Sequence, residues 1–413
     1  MYEKICNALN IAALHPFQQQ ALDALTKGRD ALLLMPTSAG KSVTFQGLAI
    51  ETEKLVLVIE PHLALELDQV AGLATKGVPA AFLNSLQSAK ERQQVLTDIE
   101  RGKLRLLYLT PEMLQNKTVQ QALLAADIAG VMVDEAHCLY KQGPGFREAY
   151  LKIADFVGKL PHRPPVGAFT ATATATTEVY IIKHLNMNDP LVIRGPVTRD
   201  NITLRVIPIS EDLGGRKDAE LIEQQKRKLI CKYLKKFSDG RVIVYSNTIE
   251  RVEALCNYLR KKGFAAEYYH GKCENKPERL RRFREGKTRI MVATNAFGLG
   301  INVPDIRLVI HHAPLIGLDD YLQEVGRAGR DGKKAEAVLL WHPYDFTLNR
   351  NLIRKNWLSL TGKELRDCLD ALNALEQYAR DNRTCRWQII RGFFGEKPGK
   401  KCGKCCICHK KRH

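Results

Sequence analysis

The sequence alternates short apolar runs with longer segments of helical periodicity, in two successive series. A strand buried in a parallel sheet is a continuous apolar run because helices cover both faces of the sheet, and each crossover needs a connection of helix length. The pattern therefore predicts an α/β fold with two parallel-sheet lobes in tandem. The predicted strands are 31–34, 55–59, 106–109, 130–133 and 166–169 in the first series, and 242–245, 265–269, 290–293, 308–310 and 337–341 in the second.

A polar, Gly- and charge-rich bridge at 210–217 separates the two series. After Pro343 the strand pattern ends, and helical periodicity returns at 365–378. We expect the tail from Cys385 onward not to form an ordinary helix, because it is basic and rich in cysteine. A chain of 413 residues exceeds the roughly 250 residues of most single cores. We predict lobes at 1–197 and 198–345 and a small helical module at 346–413.

The charge balance is strongly basic, with 63 Lys+Arg against 45 Asp+Glu. Such a surplus favours a polyanionic partner through counterion release, although a solvated basic surface has the same composition. The sequence has no apolar run of about 18 residues, and its first ten residues include an acid, so neither a membrane span nor secretion is indicated. We expect an intracellular protein, in which disulfides are uncommon.

The stretch LLLMPTSAGKS, at 32–42, lies at a predicted turn from strand to helix. Backbone N–H groups at such a turn can bind phosphate. Met35 replaces the first glycine of the usual phosphate-loop pattern, but that glycine only shapes the entry to the turn. The alternative is a helix that merely begins at Gly-Lys-Ser. The nucleotide hypothesis assigns phosphate contacts to Thr37, Ser38, Ala39 and Gly40, the outer phosphates to Lys41 and Mg²⁺ to Ser42.

A second predicted strand runs into VMVDEAH, at 131–137. Two adjacent carboxylates at a strand end suit metal-assisted phosphoryl transfer. Asp134 would bind Mg²⁺ through water, and Glu135 would orient the attacking water. An ordinary polar strand end is the alternative, but it does not explain why both motifs occur in one chain.

Four cysteines near the end of the chain have the spacing Cx16Cx2Cx2C: Cys385, Cys402, Cys405 and Cys408. Four thiolates in this pattern suit a closed tetrahedral Zn²⁺ site, and an iron–sulfur cluster or buried free cysteines are the alternatives. Cys406 and His409 are spare donors. From Cys385 onward there are nine Lys or Arg and one acid, so we expect this module to lie against phosphates.

In this order the motifs resemble those of the RecQ family of DNA helicases, in superfamily 2. HPFQ, MPTSAGKS, EPHLALELDQV, AFLNS, YLTPEML, DEAHC, FTATAT, VYSNT, VATNAFGLGIN, QEVGRAGRDG and CRWQIIRGFFGE each match a family motif, and together they span nearly the whole chain. The resemblance implies two RecA-like lobes with a zinc module, and it implies ATP, Mg²⁺ and Zn²⁺ as cofactors.

The resemblance also implies individual roles. Gln18 would recognise adenine through its carboxamide, and His15 stands where the family has a stacking arginine. His137 completes the DEAH motif, Arg330 is the arginine finger, and Arg327 stands beside it three residues away, on the same side of a helical turn. Thr172 would link the DEAH segment to the DNA path. The residues expected to contact DNA are Asn84, Thr110, Phe146, Arg147, Ser246, Asn247, His270 and Thr294.

One segment departs from the family pattern. After DEAHC the family has an aromatic loop that couples DNA contact to hydrolysis, and here it is LYKQGPGFREAY. Gln142 replaces a tryptophan whose stacking contributes about 1–3 kcal/mol per base. The substitution predicts weaker or differently timed coupling.

The function that the resemblance implies is an ATP-dependent helicase that moves 3′ to 5′ on single-stranded DNA and unwinds duplex or forked DNA in repair or recombination. We expect a monomer, cytoplasmic and nucleoid-associated if bacterial. No stretch resembles a winged-helix or HRDC domain. The alternatives are a DNA-stimulated ATPase or translocase that unwinds poorly, an RNA helicase, and a zinc-dependent nucleic-acid binder with an inactive motor.

Overall fold

The computed structural model describes residues 2–36, 39–61, 63–141, 144–171, 173–210, 212–298, 303–356 and 362–409. The chain divides into two compact units, unit 1 at Met1–Val197 and unit 2 at Thr198–His413. Each unit is built around one sheet whose paired strands all run parallel. The prediction of two parallel-sheet α/β lobes is confirmed.

Unit 1 has seven strands and ten α-helices among its described residues. The strands are β1 (Ala31–Leu34), β2 (Leu55–Ile59), β3 (Ala80–Leu83), β4 (Leu106–Leu109), β5 (Ile128–Val133), β6 (Val166–Thr170) and β7 (Leu191–Arg194). The helices are α1 (Glu3–Leu9), α2 (Pro16–Thr26), α3 (Ser42–Thr52), α4 (Leu63–Ala74), α5 (Ala89–Glu100), α6 (Lys117–Leu124), α7 (Cys138–Lys141), α8 (Pro144–Leu151), α9 (Ile153–Lys159) and α10 (Ala175–His184).

The sheet of unit 1 has the strand order β3-β4-β2-β5-β6-β1-β7. Successive side chains of a strand point to opposite faces, so a strand covered on both faces buries all of its residues. In β2, Leu57 packs into the core on one face while Val56 and Val58 pack into the core on the other. This two-sided burial is why β2 and β4 are continuous apolar runs in the sequence.

Unit 2 has six strands and seven α-helices among its described residues. The strands are β8 (Ile202–Pro208), β9 (Arg241–Tyr245), β10 (Ala266–Tyr269), β11 (Ile290–Ala293), β12 (Ile306–His311) and β13 (Ala335–Trp341). The helices are α11 (Ala219–Lys236), α12 (Ile249–Lys261), α13 (Lys276–Arg284), α14 (Leu318–Val325), α15 (Pro343–Asn356), α16 (Gly362–Arg380) and α17 (Arg386–Phe393).

The sheet of unit 2 has the order β10-β11-β9-β12-β13-β8, which puts β8 at one edge. The C-terminal segment covers this edge, since Trp387 Nε1 donates to Ile202 O at 3.3 Å and the Cys406 N–H donates to Leu204 O at 3.1 Å. Partners for these carbonyls protect an edge strand from pairing with other chains.

The sequence did not predict three of the strands. β3 and β7 are four-residue edge strands with partly exposed side chains, and β8 alternates buried and half-buried residues. None of them is a fully buried run. Because β8 belongs to the second sheet, the bridge at 210–217 lies inside unit 2 and does not separate the two lobes.

The expectation that the tail from Cys385 forms no ordinary helix is wrong, because α17 begins at Arg386. Trp387 and Ile390, three residues apart, are buried on one face of this helix. Arg386 is buried as well, and its guanidinium donates to the carbonyl of Tyr378. The basic residues of the tail lie mostly after α17.

None of the helices that the structure describes is both long enough and apolar enough to span a bilayer.

Candidate nucleotide, DNA and metal sites

The loop after β1 has the strand-turn-helix form that the phosphate-site hypothesis requires. Gly40 has a φ of 75°, in the left-handed region that suits glycine, and α3 begins at Ser42. Lys41 is only 5% exposed, and its Nζ donates to Met35 O at 3.1 Å. A buried ammonium at the start of a helix is a cation placed where phosphate binds. Thr37 and Ser38 lie outside the described residues.

Gln18 braces this loop from α2. Its Oε1 accepts from the His15 N–H at 2.8 Å, and its Nε2 donates to Gly40 O at 2.9 Å. A Cβ at position 40 would lie 3.1 Å from that Nε2. The exposed His15 ring stacks on Phe17, with centroids 5.7 Å apart and planes 9° apart. Both ends of the Gln18 carboxamide therefore bind protein backbone here, and adenine recognition by Gln18 and His15 stays a prediction.

Asp134 and Glu135 follow β5 directly. Glu135 has a φ of 47°, unusual for a residue with a side chain, and its N–H donates to Asp134 Oδ1 at 2.8 Å. Such strained conformations cluster at functional sites. Burial and the neighbouring Glu135 raise the pKa of Asp134 to about 6, while the charge of Lys41 opposes this shift. The loop between β1 and α3 thus brings Lys41 within electrostatic range of Asp134, which directly follows β5.

His137 is tied to the end of the neighbouring strand. Its Nδ1 lies 3.1 Å from Thr170 Oγ1 and 3.2 Å from Glu135 Oε2. Thr172, the predicted link between the DEAH segment and the DNA path, lies outside the described residues. Thr170 is a link that the sequence analysis missed, although the FTATAT motif contains it.

These residues fit a nucleotide with Mg²⁺. Lys41 supplies a cation for phosphate, Asp134 supplies the oxygen ligand that Mg²⁺ prefers, and Glu135 supplies a second carboxylate beside it. Ser42, the other predicted Mg²⁺ ligand, is the first residue of α3.

Arg327 and Arg330 do not lie on a helix, so the prediction of a shared helical face is wrong. Helix α14 ends at Val325, both arginines lie in the turns that follow, and Gly329 between them has a φ of 54°. Arg327 is buried, and its Nη1 donates to Gly298 O.

Arg330 is half-buried. Burial raises the pKa of the Tyr245 phenol, and the positive charges of Arg327 and Arg330 oppose this rise. The charges of both guanidinium groups therefore influence Tyr245, the buried last residue of β9.

The predicted DNA-contacting residues follow neighbouring strands, at the carboxyl edge of each sheet. In unit 1, Asn84 follows β3 and Thr110 follows the adjacent β4. Both side chains are buried and cap local turns: Asn84 Oδ1 accepts from the Leu86 N–H at 3.0 Å, and Thr110 Oγ1 accepts from the Met113 N–H at 3.4 Å. The side chains of Phe146 and Arg147 lie outside the described part of the chain.

In unit 2, His270, Thr294 and Ser246 follow β10, β11 and β9, which are neighbours in the sheet. All three are buried. His270 Nε2 lies 3.0 Å from Glu253 Oε1, and Ser246 Oγ lies 3.4 Å from His312 Nδ1.

Asn247, which follows Ser246, donates from Nδ2 to Pro314 O at 3.0 Å. Like Asn84 and Thr110, the unit 2 residues bond within their own unit, and DNA contact by their side chains stays a prediction.

The four predicted zinc ligands come together. The Sγ atoms of Cys385, Cys402, Cys405 and Cys408 all lie within 4.8 Å of one another. Three of the S···S distances are 3.9, 4.0 and 3.5 Å, close to the roughly 3.8 Å edge of a tetrahedral zinc–thiolate site.

Backbone N–H groups favour a thiolate at one member of this cluster, Cys405, whereas burial raises the pKa of Cys402 and Cys408. Burial raises the pKa of Cys405, but N–H donors from Arg386, Cys408 and Ile407 outweigh it and lower the pKa to about 7. The cluster fits a structural Zn²⁺.

Comparisons with known proteins agree with this geometry. Three family models match the chain: "DEAD/DEAH box helicase" at 15–179, "Helicase conserved C-terminal domain" at 225–332 and "RecQ zinc-binding" at 343–409. The structure of S. cerevisiae Dbp5 bound to RNA and ADP BeF3 superposes with a TM-score of 0.63 at 16% identity, covering 89% of this chain and 96% of that one. That likeness shows the fold alone.

Two curated relatives have a higher sequence identity to this chain than that structure has. The ATP-dependent DNA helicase RecQ of Pasteurella multocida is 34% identical over 396 residues, which cover 95% of this chain and 59% of the relative. The probable ATP-dependent DNA helicase RecS of Bacillus subtilis is 35% identical over 384 residues, covering 92% of this chain and 73% of the relative. The chain thus spans about three fifths of the Pasteurella protein. It belongs to the RecQ family of superfamily 2 helicases.

Proposed function

We propose that this chain hydrolyses ATP with Mg²⁺, moves 3′ to 5′ along single-stranded DNA and unwinds duplex and forked DNA during repair or recombination. One observation carries the proposal most directly. Lys41 is buried in the loop between β1 and α3, and the Asp134–Glu135 pair directly follows β5 of the same sheet, where the charge of Lys41 opposes the rise in the pKa of Asp134. A cation, a metal-binding acid and a second carboxylate are the groups that phosphoryl transfer needs.

Mg²⁺ would neutralise charge on the outer phosphates, and the chain's own residues would do the rest. Ser42 and Asp134 would hold the metal, Lys41 would bind the outer phosphates, and Glu135 would orient water. Thr37, Ser38, Ala39 and Gly40 would contact phosphate through the backbone, while Gln18 and His15 would contact adenine. Arg330, with Arg327 beside it, would stabilise charge on the same nucleotide during hydrolysis.

The working division of the chain is an ATP-binding lobe at 1–197, a second helicase lobe at 198–345 and a zinc-binding module at 346–413. The strand ends that carry Asn84, Thr110, Ser246 and Thr294 support contact with DNA at the carboxyl edge of each sheet. A motor must hold the sugar-phosphate backbone without reading bases. The net charge of +18 supports such a partner.

A second candidate is a DNA-stimulated translocase with weak unwinding. The segment LYKQGPGFREAY favours it, because Gln142 takes the place of an aromatic platform. In this case hydrolysis would still rise with single-stranded DNA, while a fork would separate slowly.

The test is the ATPase rate of the protein without nucleic acid, with a single-stranded DNA and with an RNA of matched sequence, followed by unwinding of a fork. Stimulation by DNA above RNA together with fork unwinding supports the helicase. Stimulation without unwinding supports the translocase. A rate that no nucleic acid changes contradicts both.

A further inference from the structure

Arg199 and Asn201, near the start of unit 2, donate hydrogen bonds to the backbone of the turn that carries Arg327 and Arg330. Arg199 Nη1 donates to Gly326 O at 3.2 Å, and its Nη2 donates to Gly329 O at 2.7 Å and to Ala328 O at 3.4 Å. One guanidinium therefore binds three carbonyls that flank the two arginines in sequence. These carbonyls lie just beyond Val325, the last residue of α14, in the turns that carry the two arginines.

Asn201 adds two further hydrogen bonds to the same turn. Its Nδ2 donates to Gly329 O at 2.7 Å and to Lys333 O at 2.8 Å. The fit is close, because a Cβ at position 329 would lie 2.5 Å from that Nδ2 and 2.7 Å from Lys333 O. Position 329 therefore requires glycine for two reasons: its backbone has a left-handed φ, and Asn201 lies too close to leave room for a Cβ.

The chemistry of Arg199 suits holding the turn. A guanidinium is a rigid planar fork of donors, so several bonds from one group fix the orientation of what it binds. Burial lowers the pKa of Arg199, and the charge of Asp331 opposes this shift. The described hydrogen bonds of Arg199 all go to backbone carbonyls, so its guanidinium contacts the turn at three points.

We infer that Arg199 and Asn201 are positioning residues for hydrolysis, which fix the backbone from Gly326 to Arg330 so that Arg327 and Arg330 are held ready for phosphate. The inference rests on the proposed function, because it needs the two arginines to act on the nucleotide. Release of the turn leaves nucleotide binding by unit 1 intact and removes stabilisation made during the chemical step.

The test compares Arg199→Ala with Arg289→Ala. Arg289 is a matched control in the same unit, since its guanidinium also donates to backbone carbonyls, those of Leu234 and Phe237, away from the arginine turn. We expect Arg199→Ala to lower the kcat of DNA-stimulated ATP hydrolysis roughly 100-fold, with the KM for ATP changed less than about threefold. Arg289→Ala keeps kcat within about threefold of the unmodified protein.

A double variant separates positioning from general loosening. If Arg199 acts through Arg327 and Arg330, then Arg199→Ala lowers kcat by a smaller factor in the Arg330→Ala protein than in the unmodified protein, because interacting residues give non-additive effects. Arg199→Lys keeps the charge but loses the fork, and we expect it to show an intermediate kcat with a normal urea midpoint. It carries the test if Arg199→Ala does not fold.

Different results would contradict the proposed function and the positioning inference. An unmodified protein whose hydrolysis DNA does not stimulate overturns the proposed function. An active protein that Arg330→Ala disables, but whose Arg199→Ala or Arg199→Lys variant has normal kcat, overturns the positioning inference alone, as does full additivity in the double variant.

Discussion

His137 Nδ1 lies 3.1 Å from Thr170 Oγ1, and this contact joins the DEAH segment to the end of β6. Thr170→Val removes the hydroxyl with little change in shape, so the imidazole keeps only its contact with Glu135 on that nitrogen. A neutral hydrogen bond contributes about 0.5–1.5 kcal/mol, which corresponds to roughly 2- to 12-fold. We expect DNA-stimulated kcat to fall within that range while the KM for ATP stays unchanged, as steady-state kinetics will show.

The control for this change is Thr288→Val in unit 2. It removes a buried hydroxyl that donates to Glu267 of the same unit at 3.5 Å. It should leave kcat unchanged. Equal kinetic losses in both variants would mean that Thr170 acts through stability alone.

Glu135→Gln should separate ATP binding from hydrolysis. The amide keeps the size of the side chain but cannot act as a base, and loss of a general base lowers rates by roughly 10²- to 10⁴-fold. Binding of a fluorescent ATP analogue should stay within about threefold. Glu100→Gln, at an exposed carboxylate, is the control and should behave like the unmodified protein. Loss of binding together with hydrolysis would show that Glu135 is needed for the fold of the loop.

The zinc hypothesis predicts different outcomes for two adjacent cysteines. Cys405→Ser removes a thiolate from the four-sulfur cluster, and we expect elemental analysis to find loss of the metal and a lower thermal midpoint. Cys406→Ser changes a sulfur outside the cluster, one that lies 3.4 Å from Arg386 Nε, and it should retain one zinc per chain. Full zinc content in the Cys405 variant contradicts the tetrathiolate site.

The sequence predicts those parts of the site that depend on local pattern. Buried strands such as β2 and β11 are continuous apolar runs, and residues that directly follow such strands, including Asp134 and Thr294, must lie at the carboxyl edge of a parallel sheet. The close cysteine pairs of the Cx16Cx2Cx2C spacing likewise limit how far apart the thiols can lie.

Contacts between distant segments carry no such signal. Arg199 binds a carbonyl 130 residues away, and Thr170 meets a histidine 33 residues away. No periodicity or spacing in the sequence records these pairs. The end of α14 before Arg327 was also missed, because helix ends depend on capping geometry that the motif does not specify. Asn84 caps a tight turn at Leu86, and the buried Ser246 Oγ lies 3.4 Å from His312 Nδ1, 66 residues away; only the folded chain defines these contacts.

The stability of the protein should depend on pH through a carboxylate–imidazole pair in unit 2, in which His312 is buried and Glu223 is half-buried. Glu223 Oε2 lies 2.9 Å from His312 Nε2. Burial raises the pKa of Glu223, but His312 and Arg227 outweigh it and lower the pKa from 4.5 to about 2. Burial lowers the pKa of His312 below 6.5. In both cases the unfolded chain takes up its proton at a higher pH than the folded protein does.

The stabilisation from His312 is therefore complete above pH 6.5 and is lost as the pH falls below it, and that from Glu223 is complete above pH 4.5 and is lost towards pH 2. The Glu223 contribution is up to about 3 kcal/mol. Urea unfolding from pH 7 to pH 3 should show a shallower decline for Glu223→Gln than for Glu220→Gln, a change at an exposed carboxylate on the same helix. Parallel curves would exclude this pair as a source of acid sensitivity.

Gly298 sets the position of Arg327. A Cβ at residue 298 would lie 2.6 Å from Arg327 Nη2 and 2.9 Å from its Cζ, closer than real side chains allow. The backbone at Gly298 is not in the left-handed region, so alanine there strains nothing except this contact. Gly298→Ala should displace the guanidinium and reproduce the kinetics of Arg327→Ala, with kcat lowered roughly 10²- to 10³-fold and ATP binding retained. Gly158→Ala, in α9, has no atom within 4 Å of the added carbon and should leave kcat unchanged. Normal hydrolysis in Gly298→Ala alongside an inactive Arg327→Ala would mean that the guanidinium reaches its working position by a route independent of the Gly298 carbonyl.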